Sequence, residues 1–151
     1  MTGRCLVRSV FLLAALLSPL TGGCADIIGV LPGLDAVEVE LVNDTSFPVA
    51  PDIRFDDDSG FWARLAPAEE LSTGVLEPGE AASFWFDCDE LGLILSDEAE
   101  QLLPLELFVA EASRVLERDE DYDCGDLIRF RFVGDGEDFG VIVSVNGQIV
   151  D

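Results

Sequence analysis

The chain has 151 residues, with 31 Asp and Glu against 8 Arg, no Lys and no His, for a formal net charge of −23. Such a surface repels phosphate backbones and argues against nucleic acid as a partner. The missing histidine removes the commonest general base. Hydrophobic residues make up 49% of the chain, enough for a core despite the charge. At the N-terminus, Arg4 and Arg8 precede the apolar block "SVFLLAALLSPL", with no acid among them. A charged start, a short apolar segment and a small-residue exit describe a secretory signal peptide over residues 1–23. The block is shorter than the ~20 residues that a spanning helix needs.

The block ends in "LTGGC", Leu20 to Cys24. This stretch resembles the lipobox of bacterial lipoproteins, with Thr21 standing where that family usually has leucine. The resemblance implies cleavage just before Cys24, acylation of its thiol and anchoring of the protein to a membrane on the exported side. Two or three acyl chains hold a protein firmly, at about 0.8 kcal/mol per buried methylene. Without lipidation, the same residues read as the signal of a plain secreted protein. Losing Arg4 and Arg8 makes the remaining chain more acidic still, so the acyl chains and not lipid headgroups must do the anchoring.

"ADIIGVLPGLD" follows as a tether over residues 24–35, broken by two glycines and Pro32. A single domain over residues 36–151 is expected next. "AVEVELVN" alternates Val37, Val39 and Leu41 against Glu38 and Glu40, the pattern of a half-buried strand. In "VLEPGEAASFWF", Pro78-Gly79 predicts a type II turn between two hairpin strands. The second of these puts Phe84, Phe86 and Cys88 on one face and Trp85 and Asp87 on the other. "SDEAEQLL" predicts a short helix capped by Ser96. Residues 105–116 alternate and also repeat at helical spacing; their neighbours favour a strand. "DLIRFRFV" alternates Ile128, Phe130 and Phe132 against Arg129 and Arg131. "GDGED" predicts a tight turn, and Asn146-Gly147 a two-residue hairpin between "FGVIVSV" and "QIV". The pattern predicts a mainly β domain, an antiparallel β-sandwich with one short helix or two, for which the immunoglobulin-like arrangement is one candidate architecture.

With Cys5 in the signal and Cys24 at the lipid site, Cys88 and Cys124 remain. In an exported protein they are expected to pair, both facing inward by strand parity. That bridge would gather Asp87, Asp89, Glu90, Asp121, Asp123 and Asp126. Uncompensated carboxylates that close raise each other's pKa, and calcium, which takes oxygen ligands, would relieve them. "FDDDSG" is a second acidic loop without the ligand pattern of an EF-hand. The alternative to calcium is a solvated acidic surface. No "GxSxG" and no glycine-rich phosphate loop occur. Paired carboxylates could hydrolyse a glycoside, but acids are too abundant here for any pair to be informative. The favoured reading is a non-catalytic envelope lipoprotein. It would contact a protein partner through a sheet edge or aromatic patch, with Phe61, Trp62 and Trp85 as candidates and core packing as the default for most of them.

Overall fold

Alternation along "AVEVELVN" decides the first strand. The computed structural model describes residues 35–150, apart from the side chains of Phe61 and Trp62. In it β1 (Ala36–Asn43) buries Val37, Val39 and Leu41 completely. Asn43 closes the strand, buried but satisfied. Its Nδ2 donates to the carbonyls of Phe47 (2.9 Å) and Leu76 (2.8 Å), and its Oδ1 accepts from the Thr45 N–H (2.9 Å). Burying that amide without partners would cost about 1–3 kcal/mol, so its three bonds pin the reversal that follows.

The chain continues through β2 (Val49–Ala50), β3 (Ile53–Asp56), the five-residue helix α1 (Phe61–Leu65) and β4 (Glu69–Leu71) to β5 (Ala81–Asp87). The Pro78-Gly79 turn forms as expected, with the Glu80 N–H on the Glu77 carbonyl (2.9 Å) and Gly79 at φ +79°. It is not a hairpin, however. Leu76 exchanges both backbone bonds with Val49 of β2, whereas β5 pairs with β1, so the turn carries the chain from one sheet to another. Turn chemistry is local, and partner choice belongs to the core.

A 3-10 turn (Cys88–Glu90) leads to β6 (Leu93–Ser96), β7 (Glu100–Leu102), β8 (Leu107–Val109) and β9 (Leu116–Glu117). The helix expected from "SDEAEQLL" is absent: Ser96 ends β6, and Glu100–Leu102 is a strand between β2 and β8. Fully buried Gln101 explains this. Its Nε2 donates to Asp135 Oδ1 (3.0 Å) and the Gly134 carbonyl (3.2 Å), and its Oε1 accepts from the Gly136 N–H (2.8 Å). Those bonds outweigh a weak helical preference. Within residues 105–116 the strand reading holds at β8 and at the start of β9; the stretch between them forms neither helix nor strand.

The last strands are β10 (Leu127–Val133), β11 (Gly140–Val145) and β12 (Gln148–Ile149), with a 3-10 turn (Gly136–Asp138) between the first two. The Asn146-Gly147 hairpin forms with φ +50° and +80°, both positive as a type I′ turn requires. Three sheets result, of order β12-β11-β10-β1-β5, β2-β7-β8 and β4-β3-β6-β9. The domain is a β-sandwich, and the inward faces of all three sheets share one core. Ile128, Phe130 and Phe132 of β10 are wholly buried, as are Val49, Ile53, Ile94 and Leu116 from the other two sheets. Each such side chain contributes about 1.5–3 kcal/mol. Phe55 of β3 meets Phe86 of β5 edge to face at 5.0 Å between ring centres.

The sandwich departs from the expected antiparallel pattern at β1 and β10, which run parallel from Glu38↔Leu127 to Asn43↔Phe132. Far apart in sequence, these two strands are not held to a hairpin's geometry. The layer facing the five-stranded sheet is also divided in two. Among the described residues no helix is long and apolar enough to cross a membrane. Cys24, the signal and the tether before Asp35 lie outside the described residues.

Candidate functional site

Cys88 and Cys124 are joined, with S–S 2.13 Å and Cα–Cα 5.7 Å. Their setting differs from the expected inward pair. Cys88 is half-buried against the core, but Cys124 is exposed, because it lies in the turn before β10 and strand parity does not reach it. The bridge closes around the start of β1. There the Cys88 N–H donates to the Asp35 carbonyl (3.1 Å), and the Gly125 N–H to that of Ala36 (3.0 Å). It therefore ties together the two strands, β5 and β10, that flank β1.

The bridge does bring the two acidic segments near each other, but not as a ligand set. Among the described residues no group of three or more His, Cys, Asp or Glu could hold a metal ion. Asp121 is engaged by the Arg114 guanidinium through Oδ1 and by the Glu117 N–H (3.0 Å) through Oδ2. Asp126 accepts from the Asp123 N–H (2.7 Å) and from Asn146 Nδ2 (2.6 Å). Asp87, Asp89 and Asp123 are exposed. Repulsion is thus relieved by an arginine, an amide and backbone donors, and the expected gathering of Asp87, Asp89, Asp121, Asp123 and Asp126 around calcium does not form. Arg114 was the missing element: nothing local in the sequence ties it to Asp121.

The loop "FDDDSG" uses its carboxylates in the same way. Asp56 accepts from the N–H groups of Asp58 and Ala68, each at 3.0 Å, and the Asp58 bond leads in holding its pKa below the usual carboxylate value. Asp135 is lowered chiefly by the Ser46 N–H (3.0 Å). Burial pushes the Tyr122 hydroxyl, which donates to the Leu91 carbonyl (3.0 Å), well above the ordinary tyrosine value. These three shifts arise in loop and core structure.

What remains is surface shape. Two shallow recesses of about 310 and 530 Å³ meet at Ser113 and Val141, between the segment after β8 and the outer edge of β11. The smaller is walled mainly by the aliphatic side chains of Ile142, Val143, Ile149 and Val150, and the larger is mainly polar, with Glu111, Ser113 and Glu137 on its wall. On the other side of the same sheet, β5 is the end strand, and Trp85 stands 65% exposed on it. Of the three aromatic candidates Trp85 is thus a surface residue; the side chains of Phe61 and Trp62 lie outside the described residues.

The β5 edge can be described atom by atom. Its ladder to β1 is flanked by the bonds Asn43 N–H to Glu80 O (2.9 Å) and Cys88 N–H to Asp35 O (3.1 Å). Antiparallel pairing alternates, so the even-numbered members of β5 face β1. The N–H and C=O groups of Ala81, Ser83, Trp85 and Asp87 point away from the sheet, and among the described residues none of them has a hydrogen-bond partner.

No family model matches this chain, and no curated protein matches it. Among solved structures it aligns with a protein from Eubacterium rectale determined by NMR. The identity is 14% and the TM-score 0.46, over 78% of this chain and 93% of that one.

Proposed function

We propose that the chain is a lipid-anchored, acidic β-domain on the exported side of a bacterial membrane, where it binds a partner and does not catalyse a reaction. The observation that carries this reading is "LTGGC" after a basic start and a short apolar block, in a chain whose β1 begins at Ala36, shortly after Cys24. A disulfide between Cys88 and Cys124 agrees with export to an oxidising compartment. The non-catalytic half rests on chemistry: there is no histidine, and the perturbed carboxylates are engaged by backbone N–H groups. The test is metabolic labelling with radioactive palmitate and membrane fractionation of the native chain and Cys24→Ser. The native chain should incorporate label and sediment with membranes, and Cys24→Ser should do neither. Equal membrane partitioning of a processed Cys24→Ser protein refutes the anchor.

A further inference from the structure

Edge strands are the places where a sheet accepts another chain, and proteins usually keep them short or charged. Here β12, β2 and β9 are two residues long, and β8 and β4 three, with Glu69 and Glu70 on β4. Only β5 is different among the sheet ends described. It runs seven residues, "AASFWFD", with no proline and no charge before Asp87. Its outer face presents Trp85, its inner face the half-buried Phe84 and Ala82.

Charge says what fits there. Glu38 of β1 lies directly across from Trp85, Asp87 follows two residues on, and Asp89 and Glu90 are exposed just beyond. The ion pairs among the described residues engage Asp52, Glu70, Glu117, Asp121, Glu40 and Asp44, and none of these four acids. Arg129 and Arg131 sit on the same outer face but are held by Glu40 and Asp44. A tryptophan ring flanked by carboxylates attracts a lysine or arginine side chain through its π face and through charge together. A second copy of this chain would instead bring two strongly acidic bodies into contact.

We infer that the outer edge of β5 is a docking strand for an extended, cationic segment of a partner protein. The segment pairs with the outward N–H and C=O groups of Ala81, Ser83, Trp85 and Asp87. Its basic side chains lie over Trp85 between Glu38 and Asp87, and its alternate apolar side chains lie against Phe84. This deepens the reading of the chain as a binding domain and rests on it. It is independent of the lipid anchor, whose failure would appear in palmitate labelling alone.

The experiment uses the full-length protein in detergent at physiological ionic strength. The probes are two fluorescent decapeptides, one alternating lysine and valine, the other glutamate and valine. The lysine peptide should bind and the glutamate peptide should not. Amide exchange should slow at Ala81, Ser83, Trp85 and Asp87 on binding. Ser83→Pro removes one outward N–H, changes no charge and leaves the β1 ladder intact, and it should weaken binding at least about tenfold. Trp85→Ala should weaken it about three- to tenfold. Lysine-peptide binding that Ser83→Pro leaves unchanged is nonspecific attraction to an acidic surface and overturns the inference. Equal binding of both peptides, or of neither, also overturns it. So does self-association that Ser83→Pro abolishes, which would assign the edge to a second copy.

Discussion

The five-stranded sheet ends in two ways. At one end, β12 is a two-residue strand folded back by the Asn146-Gly147 turn, too short to template another chain. At the other, β5 presents seven residues with four outward-facing backbone pairs. The sheet is protected against open-ended pairing on one side only, by brevity. The same device recurs on the facing layer, where every end strand has two or three residues. A long bare edge is therefore a local exception within this molecule, and exceptions to protective rules are where binding is to be sought.

Breaking the disulfide tests that contrast most severely, because Cys88 anchors the far end of β5. With a sequence separation of 36 between its cysteines, the bridge should stabilise the fold by roughly 4 kcal/mol in the chain-entropy account. Cys88→Ser with Cys124→Ser should lower the denaturation free energy by about that much. Amide exchange should then rise first at the start of β1 and the end of β5, with β11 and β12 less affected.

On the opposite side, Gly134 starts the turn between β10 and β11 at φ +74°, and a Cβ there would lie 2.1 Å from the Asp138 carbonyl oxygen. Gly134→Ala should cost about 2 kcal/mol in chemical denaturation through this clash and the strained backbone. The lysine peptide's affinity for β5 should stay unchanged. A fall in both would mean that the two ends of the sheet are coupled.

Acidity and alkali should separate loop from core. Asp56 and Asp135 have lowered pKa values, so their stabilisation is present above the ordinary value of 3.8 and is lost as pH falls below it, through their folded values. Tyr122 is raised, so its contribution is complete below its ordinary value of 10.0 and is lost as pH climbs beyond that. Tm against pH should therefore fall at both extremes. Tyr122→Phe should remove part of the alkaline fall, at the expense of the bond to Leu91.

The smallest effect concerns the exposed ring itself. Trp85→Ala should change stability by no more than about 0.5 kcal/mol in thermal or chemical denaturation, as expected at a surface position. Its effect should lie in peptide affinity instead. A larger loss of stability would make Trp85 part of the fold.

Much of the strand pattern was legible in short stretches. Alternation in "AVEVELVN" and "DLIRFRFV" marks which side chains are buried, because a strand turns every second residue to the core. Pro78-Gly79 and Asn146-Gly147 form as turns, because their backbone preferences are local. Other features depend on residues distant in the chain. Whether Pro78-Gly79 joins hairpin partners was decided by Leu76 pairing with Val49, and Glu100–Leu102 within "SDEAEQLL" became strand because Gln101 found donors and acceptors at Gly134, Asp135 and Gly136.

The candidate site divides along the same line. Composition determines the acidity of the chain, and with Cys5 assigned to the signal and Cys24 to the lipid site only Cys88 and Cys124 remain to pair; Trp85 stands with Phe61 and Trp62 among the aromatic contact candidates. Only the tertiary structure decided that Cys124 is exposed, that Arg114, Asn146 and backbone N–H groups take up the Asp121 and Asp126 carboxylates, and that β5 ends its sheet. The physical reason is range. Periodicity and turn preference act over a few residues, whereas strand order and the partner of each charge are settled by the packing of segments tens of residues apart.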